Sequence, residues 1–452
     1  MPAPVPEAPP QHSDVLVIGA GAAGLFAATW AGRTARTAGA ALAVTAVDGA
    51  RKLGAKILVA GGGRCNVTHV AVSEADYAGS TPPAIRKVLR RFGVAETRQF
   101  FTEAGVALKE EETGKLFPVT DSARTVLDAL VREAGRAGAR LVHPARVTGL
   151  VRLGAEFVAT TEAGDMHAAR VILCTGGKSL PKSGSDGCGH ALAAGLGHSI
   201  TEPVVPALVP LVLETGHWIT ALSGLTLPTE VTLRSGTGRR LTATTGSTLL
   251  THLGLSGPAI LDVSRHWLVA RHRDPAAALT INWLPGATTD EVDRELVAGR
   301  RRGALAVLRD RLADRLARAL CTAAAAAATG DLARDARRRL ASLVTATPLP
   351  LTGDRGFTVA EATAGGVPLA EVRLETMESR VCPGLYLAGE VLDVDGRIGG
   401  FNFQWAWASG FVAGQAAARA AAHSAGATDS AAATGTPGST AGDAADGVST
   451  TS

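Results

Sequence analysis

Three glycines, Gly19-x-Gly21-x-x-Gly24, follow the aliphatic residues Val15 to Ile18 and precede a small, apolar run starting at Ala22. In a chain with 53 glycines such a spacing arises easily by chance, so the strand-turn-helix context is what gives it meaning. Gly19 permits the turn, Gly21 lets a diphosphate approach the main chain, and Gly24 lets the helix sit close to the strand. The free N–H groups and partial positive charge of the helix start then face the phosphates. Asp48, after "ALAVTAV", lies 24 residues past Gly24, slightly long against the roughly 20 expected for the acid that holds the adenosine ribose. A carboxylate there suits free ribose hydroxyls and repels the 2′-phosphate of NADP.

Other residues could serve the same ligand. In Gly61-Gly62-Gly63-Arg64-Cys65-Asn66, glycines bring backbone against a flat group, Arg64 can neutralise a phosphate or flavin anion, and Asn66 can donate and accept at a ring edge. Cys65 is either a redox partner or a small packing residue; with no resolving thiol nearby in sequence, packing is the better reading. Thr175-Gly176-Gly177 follows the aliphatic run ending at Cys174 and implies a second sharp turn near the cofactor. Gly389-Glu390 ends the run Leu385 to Ala388 and suits ribityl and phosphate contacts. Gly399-Gly400 opens a final helix, whose start would stabilise the negative charge of reduced flavin near N1 and O2; the alternative is an ordinary turn. The block Glu361 to Val367 is a candidate for the substrate-side wall of the flavin, with Thr363, Gly365 and Gly366 as weak catalytic candidates, against an ordinary returning loop. His69 and His252 have no partner identifiable from spacing.

These residues must be positioned by an α/β fold whose nucleotide-binding sheet starts near the N-terminus and is completed late. Residues 1–12 are proline-rich and read as disordered; 13–198 alternate strand-like and helix-like runs as the first part of an FAD-binding domain. Residues 199–346 read as an inserted β-barrel-like plus helical domain, 347–421 complete the FAD domain, and 422–452 read as a disordered tail. NAD dehydrogenases usually hold their dinucleotide in one contiguous domain, so the late closing segment favours FAD.

With 45 basic and 41 acidic residues the formal charge is +4, and no basic tract argues for nucleic acid. Five cysteines without a CxxC pair make disulfide frameworks and metal sites poor readings. No apolar run reaches membrane-spanning length, and a reducing cytoplasm is the default compartment.

The blocks "KLGAKILVAGGGRCNVTH", "GKLFPVTDSARTVLDAL", "CTGGKSLPKSGSDGCGHALAAGLGH", "LLTHLGLSGPAILDVS", "EATAGGVPLAEV" with "TMESR", and "GLYLAGEVLDVDGRIGGFNFQWAWASG" resemble the BaiN/RdsA, or aminoacetone-oxidase-type, family of NAD(P)/FAD-dependent oxidoreductases. The resemblance implies a Rossmann-like FAD domain of the two-dinucleotide-binding superfamily, interrupted by the insert. It implies FAD contacts at Gly19, Gly21, Ala23, Gly24, Asp48, Lys56, Gly62, Arg64, Cys65, Asn66, Val147, Gly389, Glu390, Asn402 and Gln404. Asp48 stands where the family more often has Glu, and "RIGGFNFQWAW" is more aromatic than usual. The expectation is hydride transfer between a small organic substrate and non-covalent FAD. Two directions stay open: amine oxidation with oxygen, or reduction with NAD(P)H as transient reductant. The alternative class is a non-catalytic flavin-binding regulatory or RNA-associated accessory.

Overall fold

The computed structural model describes residues 10–327 and 332–433. Two large hydrophobic cores organise them, with a small third cluster of Ala207, Leu208, Leu261, Ala362 and Ala364. The larger is built from residues of both ends of the chain, Val15 to Ala193 and Val367 to Ala421. The smaller is built from Leu211 to Leu349.

The first core surrounds a nine-stranded sheet. His12–Ile18 lies at its centre, parallel to Val44–Val47 on one side and to Gly164–Leu173 on the other. Arg140–Val142 extends one flank and Leu385–Leu387 the other, both parallel. Strands buried on both faces read as continuous aliphatic runs, and Val15, Leu16 and Val17 are fully buried. The late strand Leu385–Leu387 therefore completes a sheet begun 373 residues earlier, at His12.

The helix Ala22–Thr37 packs along the C-terminal helix Phe401–Ala433. Their backbones come very close. A Cβ on Gly410 would stand 2.7 Å from the Ala23 carbonyl oxygen, and one on Gly414 would stand 2.3 Å from that of Ala27. Trp407 and Phe411 of the C-terminal helix serve this packing, against Phe26 and Trp30. Trp407 is fully buried against Phe26 and Phe101, and its Nε1 donates to the Val67 carbonyl.

The insert holds a seven-stranded antiparallel sheet and the helices Pro258–Arg273, Thr289–Ala298, Ala304–Arg309, Asp314–Ala323 and Arg334–Ala346. Its two connections to the first core run side by side, Val205–Ala207 pairing antiparallel with Ala362–Ala364. The insert's sheet continues past Ala346: Leu351–Asp354 pairs with Leu211–Leu213, so the segment expected to begin the completing part of the FAD domain first closes the insert.

At the ends, residues 1–9 lie outside the described residues, while His12 begins a strand rather than a disordered arm. The C-terminal helix reaches Ala433, beyond the end expected at Ala421; 434–452 lie outside the described residues. Alanine favours continuation there, because it loses no side-chain entropy in a helix.

Candidate active site

The glycine motif sits at the strand-to-helix junction. Gly19 has φ +96°, a conformation that strongly favours glycine, and a Cβ there would stand 2.5 Å from the Cys174 carbonyl oxygen. A Cβ on Gly24 would stand 1.7 Å from the carbonyl oxygen of Gly19. Gly21 differs, since a Cβ there meets nothing within 4 Å. The open side of Gly21 faces a cavity of about 650 Å³ that runs between the sheet, the C-terminal helix start and the insert connections.

Asp48 ends the second strand and lines this cavity; its carboxylate accepts from the N–H groups of Ala20 and Ala50, each at 2.7 Å. Lys56 lies farther along, donating to Ser179 at 2.6 Å and Glu390 at 2.5 Å. Glu390 also accepts from Ser179 at 2.8 Å. These bonds join the segment after the second strand, the Thr175-Gly176-Gly177 turn and the late Gly389-Glu390 turn.

Ala23, Gly62, Asn66, Val147 and Gly176 also line the cavity, with Gly389, Gly400 and Asn402 on its C-terminal side. Gly400 caps the C-terminal helix, its carbonyl accepting from Gln404 N–H at 3.0 Å. Asn402 is held by a reciprocal pair of bonds to the Gly396 backbone. Arg64 lines the wall with its guanidinium 4.0 Å from the centre of the Phe117 ring and 2.5 Å from Glu111.

Several expected residues lie elsewhere. Gly24 supports the loop from behind and does not line the cavity. Cys65 is fully buried, and burial pushes its thiol up to about 12, which keeps it protonated and unreactive. Gln404 is a core residue: Thr68 and Thr97 donate to its side-chain oxygen and its nitrogen donates to the Phe92 carbonyl. Thr363 is fully buried, accepting from the N–H groups of Lys178 and Ser179, so it fixes the Gly176-Gly177 turn and does not wall the cavity. Gly365 and Gly366 pack against Val204 and the Val391–Asp393 backbone. His69 is held by the Ala71 and Thr113 carbonyls and stacks on Phe401.

The residues missed are polar groups in quoted blocks that carried no motif of their own: Ser185, Lys115 and Arg397 line the cavity. Thr175, in the turn expected near the cofactor, and Glu361, at the head of the block expected to wall the substrate side of the flavin, line it as well. Only folding brings these separated segments together.

The cavity fits a dinucleotide. Asn66 Oδ1, Thr175 Oγ1 and Ser185 Oγ are buried at its wall without a hydrogen-bond partner, an arrangement that costs about 1–3 kcal/mol each unless a ligand or water supplies one. Two helix starts open on the same space, at Gly21 and Gly400. Among the described residues there is no group of three or more His, Cys, Asp and Glu able to hold a metal ion. Among them, too, no helix is long and apolar enough to cross a membrane.

Residues 13–416 match the family described as HI0933-like protein Rossmann domain. A ribosomal RNA dihydrouridine synthase of Haemophilus influenzae is 32% identical over 413 residues, covering 89% of this chain and 98% of that protein. A 3-dehydro-bile acid delta(4,6)-reductase of Clostridium scindens is 34% identical over 417 residues, covering 89% and 98%. A ribosomal RNA dihydrouridine synthase of Escherichia coli is 33% identical over 417 residues, covering 90% and 98%. Two of these names refer to RNA, so the nearly balanced charge does not by itself exclude a nucleic-acid substrate. With matches of this extent on both counts, the chain belongs to the HI0933-like Rossmann family, the BaiN/RdsA-type FAD-dependent oxidoreductases.

Proposed function

We propose that this protein reduces a carbon–carbon double bond conjugated to a carbonyl, using non-covalently bound FAD. The carrying observation is the position of the cavity. The glycine loop shares one cavity with the insert-side residues Leu208, Val359 and Glu361 and with Lys115 and Arg397, which supports a substrate bound beside the flavin end of the dinucleotide. The relatives' names supply the bond type. Making dihydrouridine saturates the ring double bond conjugated to a uracil carbonyl, and a 3-oxo-Δ4,6 steroid is a conjugated dienone. This favours the reductive direction over amine oxidation.

FAD would lie with its ribose at Asp48, its diphosphate over Gly19 to Ala23, and its ring toward Asn66, Gly400 and Asn402. When bound it supplies the hydride. The chain's own residues hold the two partners face to face: Lys56 and Glu390 fix the middle of the groove, and the start of the C-terminal helix offers N–H donors to negative charge on the ring.

Reduced holoenzyme should be mixed anaerobically with a uridine-containing ribosomal RNA fragment, a 3-oxo-4,6-diene steroid and small cyclic enones. Return of the oxidised flavin spectrum with at least one of them, together with a saturated product, is the expected result. Reoxidation only by oxygen, or flavin reduction by small amines, overturns the reading.

A further inference from the structure

The ionisable side chains lining the cavity are almost all engaged. Asp48 accepts two backbone N–H groups, Lys56 and Glu390 bind each other and Ser179, and Arg64 is paired with Glu111. Arg146 is paired with Asp186, which also neighbours Cys188, and Arg397 is paired with Asp76. Among the described residues, Glu361 and Lys115 are the cavity-lining ionisable side chains with no hydrogen bond or ion pair. Only the main chain of Glu361 is tied down, its N–H donating to the Leu208 carbonyl and its own carbonyl accepting from Ser179.

Glu361 immediately precedes the return strand Ala362–Ala364 and opens on the cavity. We propose that Glu361 is the proton donor of the reduction, an assignment that rests on the function proposed above. The β carbon of the conjugated substrate accepts a hydride from the reduced flavin, and the π pair moves to the α carbon as an enolate. That carbon takes the proton from the Glu361 carboxyl, leaving a carboxylate that regains a proton from solvent. The substrate gains two hydrogens and the flavin is left oxidised.

A proton donor must hold its proton at working pH. The walls around Glu361 disfavour its charged form and push its carboxyl up, while the positive charges of Lys56 and Lys115 pull it down. Asp262, on the insert helix Pro258–Arg273, also feels Glu361, Lys115 and Arg397. These groups face Glu361 from the segment after the second strand, from the strand Lys115–Pro118, from the insert helix and from the loop before Gly399. Lys115, the second unengaged group, suits the developing enolate oxygen.

The test compares wild type, Glu361→Gln and Lys115→Met as FAD-loaded proteins. Glu361→Gln should retain FAD and be reduced by dithionite as wild type is. Its reoxidation by the conjugated substrate should be slower by 100-fold or more, within the range general acids supply. The wild-type rate should fall as pH rises through the carboxyl's titration, and the variant's slow rate should not follow that titration. A second readout needs no turnover. The melting temperature of Glu361→Gln relative to wild type should climb from pH 4 to pH 8, because the raised carboxyl loses native-state stability as it ionises.

Equal reoxidation rates in wild type and Glu361→Gln overturn the assignment and leave the proposed function standing. So does a loss confined to Lys115→Met, or a melting difference that stays flat with pH. If no conjugated substrate reoxidises wild type, the proposed function falls and the assignment with it.

Discussion

Lys56 donates to Glu390 at 2.5 Å across 334 residues of sequence, joining the early and late segments of the nucleotide-binding part at the middle of the cavity. Their side chains are 29% and 16% exposed, between a surface pair and a buried one. Removing one partner leaves the other's charge poorly solvated.

Lys56→Met should therefore cost about 1–3 kcal/mol, more than the roughly 0–1 kcal/mol of exposed pairs and less than the 3–5 kcal/mol of buried ones. Adding Glu390→Gln should recover part of that loss. Urea denaturation of the four proteins in a double-mutant cycle measures the coupling. Strictly additive losses would show that the pair contributes no mutual stabilisation.

Gly24→Val is expected to abolish FAD binding, because even its first carbon would stand 1.7 Å from the Gly19 carbonyl oxygen. The wild-type protein should release FAD, and not FMN, into the supernatant on acid precipitation. Losing the cofactor also removes about 2.7 kcal/mol of stability when free FAD is a hundredfold above its dissociation constant. A variant that purifies with stoichiometric FAD contradicts this account of the loop.

Asp262 supplies a pH prediction. Burial pushes its carboxyl up to about 6, while the Ile398 N–H, Arg397 and Lys115 pull it down. The native state thus holds this proton more tightly than the unfolded chain does. The stability so gained is complete below the ordinary carboxylate range and is lost as pH rises through about 6. Asp262→Asn escapes that loss, so thermal melts should show it gaining on wild type between about pH 4 and pH 7, by on the order of 2–3 kcal/mol. Parallel pH profiles would mean that the partners compensate the burial.

NAD(P)H should reduce the flavin only weakly. The chain has no second GxGxxG after a strand and no CxxC, so the nicotinamide must stack on the flavin within the same cavity. Stopped-flow reduction should saturate near roughly millimolar NAD(P)H, about 4 kcal/mol of binding, with substrate analogues competing. Micromolar affinity with noncompetitive inhibition would reveal a separate nucleotide site.

The sequence by itself determined the strand, glycine turn and helix around Gly19 to Gly24, the place of Asp48 after the next strand and the late return to the sheet, because these depend on local rules. Four aliphatic residues, a glycine turn and a small-residue helix admit few other arrangements. It favoured packing for Cys65 over a redox role, and the tertiary structure decided the matter by burying the thiol completely. The split of Thr363 from Glu361 was decided only by tertiary structure. The two residues are neighbours in one motif, yet Thr363 turns to the backbone of Lys178 and Ser179 while Glu361 opens on the cavity. Gln404 likewise sits in a cofactor-like block but is claimed by Thr68, Thr97 and Phe92. Which side of a strand or loop a residue presents depends on partners far away in sequence. Lys115, Glu361 and Arg397 share one cavity because segments from before and after the insert converge there, a relationship that no local spacing encodes.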